Sequence, residues 1–380
     1  MMTLDRGINM KYNIDAKKAI ANVGNLYRMK RLMKQAKAGE KVTLGFLGGS
    51  ITQGSLSSTP QTCYAYLVFD WWQKKFPKTE FTYINAGIGG TTSQFGVARV
   101  QSDLLAYSPD FIIVEYSVND DDNEHFLETY EGLVRKIYSD VNEPAMLIVN
   151  NVRYNDGGNA EDQHIKVGKA YEIPCVSMRR SIYPLVETGI INNRDITPDD
   201  LHPNDEGHEL VADVITYFLE KVYQELDVKE VQVKEMRMPI TANTYQNSNR
   251  YQNQSGNYVS NGFVEDTSKQ ETITQCFKNG WTADKNGASI VFEIEGNGIA
   301  IQYRKSVNKP TPIAVAILDD DTKNAITLDG NFDEDWGDCL YLQTLTEHNE
   351  NKKHKVEIKI SEVHEDDVVP FYLVSVIGNY

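Results

Sequence analysis

No apolar run in this chain of 380 residues reaches the ~18 residues of a bilayer span. A helical membrane anchor is therefore not expected, and Met1 to Met10 lack the apolar core of a signal peptide. Basic charge is in deficit: 38 Lys and Arg stand against 54 Asp and Glu, a formal net charge of −16. Such a chain offers no basic patch to a polyanion, so nucleic acid is not an expected partner. Cysteine is scarce as well. Cys63, Cys175, Cys276 and Cys339 include no Cys-x-x-Cys pair, and no histidine cluster has zinc spacing. The four read as free buried thiols, no metal site is expected, and a cytoplasmic location is the simplest reading. Residues 1–9 carry no pattern, and Met10 is an alternative start.

The length favours two domains. Residues 23–38 read as a basic amphipathic helix, with Gly39 as its stop. Short apolar runs follow at 42–47, 81–85, 111–116, 145–149 and 173–176. Helical segments alternate with them near 61–76, 93–107, 124–139 and 160–171, then near 179–187 and 204–224. That alternation predicts an α/β domain with a parallel sheet covered on both faces. Residues 243–257 are almost wholly polar and read as a linker or long loop. Beyond them the period switches to two, as in Ile290, Phe292 and Ile294, or Val356, Ile358 and Ile360. Many short alternating strands predict a β-sandwich, a jelly roll. The expected division is an N-terminal helical segment over 1–40, an α/β domain over 41–226, a linker over 227–256 and the sandwich over 257–380.

Four stretches carry the chemistry. Ser50, in Gly48-Gly49-Ser50-Ile51-Thr52, follows the first strand, where open α/β sheets bind ligands. The phosphate-loop pattern and the Gly-x-Ser-x-Gly elbow are both missing there. A serine hydroxyl and its N–H presented at a strand end suit nucleophilic attack, although a capping serine has the same pattern. Gly90 and Asn119 follow the second and third strands. Their backbone N–H and side-chain amide, with the Ser50 N–H, make three candidate oxyanion donors. His202 lies three residues after Asp199, a spacing that lets a carboxylate hold Nδ1 while Nε2 faces Ser50. Asp195 and Asp200 compete with Asp199 on charge alone. His208 reads as structural, and His125 and His164 have no evident partner.

Taken together, the four stretches resemble the SGNH hydrolases, also called GDSL esterases, over roughly residues 42–224. The resemblance implies a flavodoxin-like three-layer α/β/α domain. It makes Ser50 the nucleophile, His202 and Asp199 the other triad members, and Ser50, Gly90 and Asn119 the oxyanion hole, with no cofactor. Two positions depart from the family pattern. Gly49 stands where the family has aspartate, and Ser117 where it usually has glycine. Neither change removes a catalytic atom.

In the second domain Trp336 sits among acidic and glycine neighbours, the setting of a loop Trp that stacks on a sugar. Trp281 is a weaker candidate. The Asp319-Asp320-Asp321 run fits a solvated hairpin turn better than a calcium site. The layout resembles two-domain bacterial carbohydrate acetylesterases, with an SGNH domain followed by a jelly roll like a carbohydrate-binding module. Mannan 2-O-acetylesterases of gut bacteria are the most similar group. The implied substrate is an acetylated oligosaccharide, and a homo-oligomer is left open. The alternatives are a short-chain lipid esterase or thioesterase of the same fold, and a carbohydrate-binding protein with an inactive hydrolase domain.

Overall fold

The computed structural model describes residues 12–233, 235–255 and 257–380. The readings of residues 1–9 and Met10 fall outside them. The chain forms two compact units. One comprises residues up to Gly96 with Val100–Asn243, the other Val97–Arg99 with Thr244–Tyr380.

Among the described residues the first unit holds one sheet of six strands. They are β1 (Ile20–Asn22), β2 (Val42–Gly48), β3 (Phe81–Gly87), β4 (Phe111–Glu115), β5 (Ala145–Asn150) and β6 (Cys175–Ser177), in the order β1-β6-β5-β4-β2-β3. Strands β2 to β6 pair in parallel. The order reverses between β2 and β4, and such a reversal opens a crevice beyond the carboxyl ends of those strands. Alternation along the strands sends Leu44, Phe46, Ile113 and Leu147 to one face. There they pack with Met33, Val68, Trp72, Val211 and Ile215 of helices Tyr27–Ala38, Tyr64–Lys75 and Asp205–Gln224. Side chains of this size stabilise the fold by ~1.5–3 kcal/mol each when fully buried. On the opposite face Gly45 makes room for Leu104, whose Cδ1 would stand 2.5 Å from an added Cβ, and Gly168 of helix Glu161–Ala170 rests near Ile148. The result is three layers, α/β/α.

Three details differ from expectation. The helix expected from residue 23 starts at Tyr27, because Gly24 turns the chain at φ +61°, where a Cβ would lie 2.4 Å from Glu172 O. Residues 20–22 add an antiparallel edge strand to β6, too short to show any period. The stretch 227–256 is not a free linker. Ile240 and Thr241 donate their N–H groups to the buried Glu131 carboxylate at 2.7 and 2.9 Å, within the first unit. Asn249–Tyr251 is a strand paired with Phe371–Asn379 in the second. Polar composition hid both, since backbone groups make these bonds.

The second unit is an antiparallel β-sandwich. One sheet runs Cys339–Thr346, Gly298–Lys305, Phe371–Asn379, Trp281–Ala283, Val264–Glu265, with Asn249–Tyr251 also on Phe371–Asn379. The other runs Ile326–Asp329, Ile313–Leu318, Lys352–Glu362, Ser289–Gly296, Tyr258–Asn261. Ile290, Phe292, Ile294, Ile358 and Ile360 fill the core as their period implies. In Ile313–Leu318 the alanines also turn inward, Ala314 beside Ile360 and Ala316 beside Ile358, so small residues accommodate large neighbours. Trp281 is fully buried against Tyr258 and Phe292, which removes it as a sugar-stacking candidate. The carboxylates of the acidic run are engaged: Asp319 with Lys352 and His354, Asp320 with Lys355, and Asp321 with the backbone of 323–324.

Candidate active site

The sheet register brings three of the four stretches together. Gly48 at the end of β2 pairs with Gly87 of β3 on one side and Glu115 of β4 on the other. The segments leaving these strands therefore start from one row. After β2 the chain turns through Gly49 into a four-residue helix, Ser50–Gln53, which Gly54 ends at φ +101°. This turn packs tightly on β3: a Cβ at Gly87 would meet Gln53 N at 2.2 Å. Glycine is required there by space, not by φ.

His202 arrives from 152 residues away, and its Nε2 stands 2.8 Å from Ser50 Oγ. Its Nδ1 lies 2.6 Å from Asp199 Oδ2. The other Asp199 oxygen accepts the N–H groups of Leu201 at 3.0 Å and His202 at 2.7 Å, and the Thr197 hydroxyl at 3.2 Å. An aspartate folding back on its own loop in this way sets the loop's shape. Partial burial pushes the Asp199 carboxyl up, but the bonds from the His202 ring and from both N–H groups outweigh that and hold it below the usual range. An ionised Asp199 takes the Nδ1 proton's hydrogen bond, leaving Nε2 to accept from the Ser50 hydroxyl.

Asp200 does not share the role. It stands at φ +70°, and its carboxylate faces Arg194 at 2.8 Å and the Asn193 amide. Asp195 sits in the first turn of the short helix Asn193–Ile196. His208 is fully buried behind the site, where its Nδ1 accepts the Tyr64 N–H at 3.3 Å and its ring stacks on Tyr64. Burial lowers its pKa to about 4, which keeps it neutral.

Asn119 lies against Gly49, and Gly89 lies near Ser50, whose Cβ would stand 3.7 Å from a Cβ added at Gly89. A Cβ on Gly49 would lie only 2.3 Å from Asn119 Oδ1, so the side-chain amide rests directly on the Gly49 backbone. In this backbone geometry a side chain at position 49 would displace the Asn119 amide. Gly90 adopts φ +68°. The neighbouring Gly89 N–H is taken by Gln53 Oε1 at 2.7 Å, whereas the Ser50 and Gly90 N–H groups have no protein partner among the described residues. Free N–H groups beside a nucleophile are what a developing oxyanion needs.

Sequence reasoning missed several supports. Asp120 accepts the Ser93 N–H at 2.9 Å and pairs with His164 at 3.1 Å, both side chains wholly buried, tying the Asn119 loop to the helix after Gly90. Glu115 lies buried between Ser117 and Thr52. A charged residue inside the apolar run 111–116 was the available signal. Trp336 is exposed at 55% in the loop after Ile326–Asp329, edge-on to Phe332 with its ring N–H bonded to Glu334.

A model of the GDSL-like lipase/acylhydrolase family matches residues 46–210. A two-domain esterase (CEX) active on acetylated mannans, crystallised with mannopentaose, is 59% identical to this chain. The alignment covers 97% of this chain and 98% of that one, with a TM-score of 0.93. A second crystal structure of a two-domain esterase (CEX) active on acetylated mannans is also 59% identical, covering 96% and 98%, with a TM-score of 0.94. Thioesterase 1/protease 1/lysophospholipase L1 of Escherichia coli strain K12 is 27% identical over 180 residues, which span 45% of this chain and 80% of that protein. With the family's blocks in place and a 59% identical relative matched along nearly its whole length, the chain belongs to the GDSL-like lipase/acylhydrolase family.

Proposed function

We propose that this protein is a carboxylic ester hydrolase that removes O-acetyl groups from acetylated oligosaccharides, β-manno-oligosaccharides acetylated at the 2-O position above all. The chain of contacts Ser50–His202–Asp199, at 2.8 and 2.6 Å, carries the reading. Ser50 Oγ attacks the acetyl carbonyl carbon while its proton passes to His202 Nε2. The tetrahedral oxyanion is held by the Ser50 and Gly90 N–H groups and the Asn119 amide. As the acyl–oxygen bond breaks, His202 returns the proton to the departing sugar oxygen. Water then attacks the acetyl-serine, losing a proton to His202, and acetate leaves with Ser50 restored. Similarity to esterases active on acetylated mannans supports the substrate class.

In this reading Trp336 contributes an aromatic face for a pyranose ring. The four unpaired cysteines accord with a cytoplasmic location, and cell fractionation tests it. The decisive experiment incubates acetylated manno- and xylo-oligosaccharides with the parent and with Ser50→Ala. Mass spectrometry is expected to show loss of acetyl groups with the parent only, and NMR locates the position. Likeness to the E. coli thioesterase favours a second reading, an acyl-chain esterase. Faster turnover of octanoyl than of acetyl nitrophenyl ester would select it.

A further inference from the structure

Behind the nucleophile lies a carboxyl group that the reaction above leaves unused. Glu115 ends β4 beside Gly48 and is wholly buried. Its Oε1 accepts the Ser117 hydroxyl at 3.2 Å, and Ser117 Oγ also lies 3.0 Å from Asn151 O. Its Oε2 stands 3.5 Å from Thr52 Oγ1, which shares a 2.8 Å hydrogen bond with the Tyr64 hydroxyl. Thr52 lies two residues after Ser50, and Ser117 two before Asn119. The carboxyl group thus touches both segments that must converge on the ester carbonyl. The packing leaves little slack: a Cβ on Gly48 would lie 2.2 Å from Thr52 Oγ1 and 2.5 Å from Glu115 O. A carboxyl placed in such a site is costly, since burial pushes its pKa up to about 7. A leucine there would fill the volume without that penalty.

We infer that Glu115 is a positioning residue: through Thr52 and Ser117 it ties the Ser50 turn to the Asn119 loop and so sets the separation of nucleophile and oxyanion donor. Misplacement by about 1 Å in such a constellation costs roughly 100-fold in rate. Glu115 is wholly buried and acts through Thr52 and Ser117, so the loss is expected in kcat with KM unchanged. The inference rests on the esterase reading of the site.

The test measures p-nitrophenyl acetate turnover per active site, with sites counted by phosphonate titration. Glu115→Gln keeps an acceptor for Ser117 and adds a donor for Thr52, and is expected to stay within about threefold of the parent. Glu115→Leu is expected to lose about 10- to 100-fold in kcat at constant KM. Thr52→Val and Ser117→Ala each cut one side of the bridge and are expected to lower kcat by about fivefold. These two decide the matter if the leucine variant fails to fold. Parent-like kcat per titrated site in them, with only the Tm lowered, would overturn the inference, as would glutamine proving as damaging as leucine. A parent inert toward every ester would remove the esterase reading and this inference together, whereas an active parent with unimpaired variants removes this inference alone.

Discussion

Asp199 grips His202 twice: one carboxylate oxygen meets the ring Nδ1 at 2.6 Å, and the other accepts the same residue's main-chain N–H at 2.7 Å. The side chain is nonetheless 45% exposed. Water can therefore take over part of its task when it is removed. Asp199→Asn is expected to lower kcat about 10- to 100-fold less than Ser50→Ala does. Steady-state kinetics on p-nitrophenyl acetate give the comparison, and equal losses would mean that the imidazole depends wholly on this carboxylate.

Gly49 is expected to be intolerant of even one methyl group. In Gly49→Ala the new Cβ would start 2.3 Å from Asn119 Oδ1, and the amide must yield. Loss of one oxyanion donor costs ~10²–10³ in kcat. The same loss is expected from Asn119→Ala, and the double variant should be little worse than either single one. Additive losses in that cycle would separate the two residues.

Two buried groups give opposite pH dependences of stability. His208 has its folded pKa lowered to about 4, so its contribution is present above the unfolded value near 6.5 and is lost as pH falls toward 4. Glu115 has its folded pKa raised to about 7, so its contribution is present below the unfolded value near 4.5 and is lost as pH rises through 7. Between pH 4.5 and 6.5 the two slopes oppose each other. Relative to the parent, His208→Gln should lose stability as pH rises across this window, and Glu115→Gln should gain it. Urea unfolding at half-unit pH steps reads both slopes, and parallel curves for parent and variants would contradict the assignment.

The two tryptophans of the sandwich should behave differently. Trp281 is enclosed in the core, so Trp281→Ala is expected to cost ~3–5 kcal/mol of stability. Trp336 is exposed, and Trp336→Ala is expected to leave the Tm unchanged while reducing turnover of acetylated oligosaccharide about tenfold and sparing p-nitrophenyl acetate. Equal losses on both substrates would assign Trp336 to folding.

Ser50 was legible in the chain because glycines and a preceding strand mark its stretch, and the Asp199–His202 pair because three residues separate a carboxylate from an imidazole just before the last helix; the structure sets these three within hydrogen-bond distance of one another. Layer order was legible too, since apolar periodicity is local. Other relationships are contacts that no sequence period encodes, most of them between segments far apart in the chain. Asp199 stands out from Asp195 and Asp200 only once Arg194 and Asn193 draw the Asp200 carboxylate away. Gly49 lies against Asn119, Glu115 against Thr52, and Asp120 against His164, each across many residues. Those partners meet because parallel strands start their loops from one row, and it is close packing along that row that decides which side chain each position can hold.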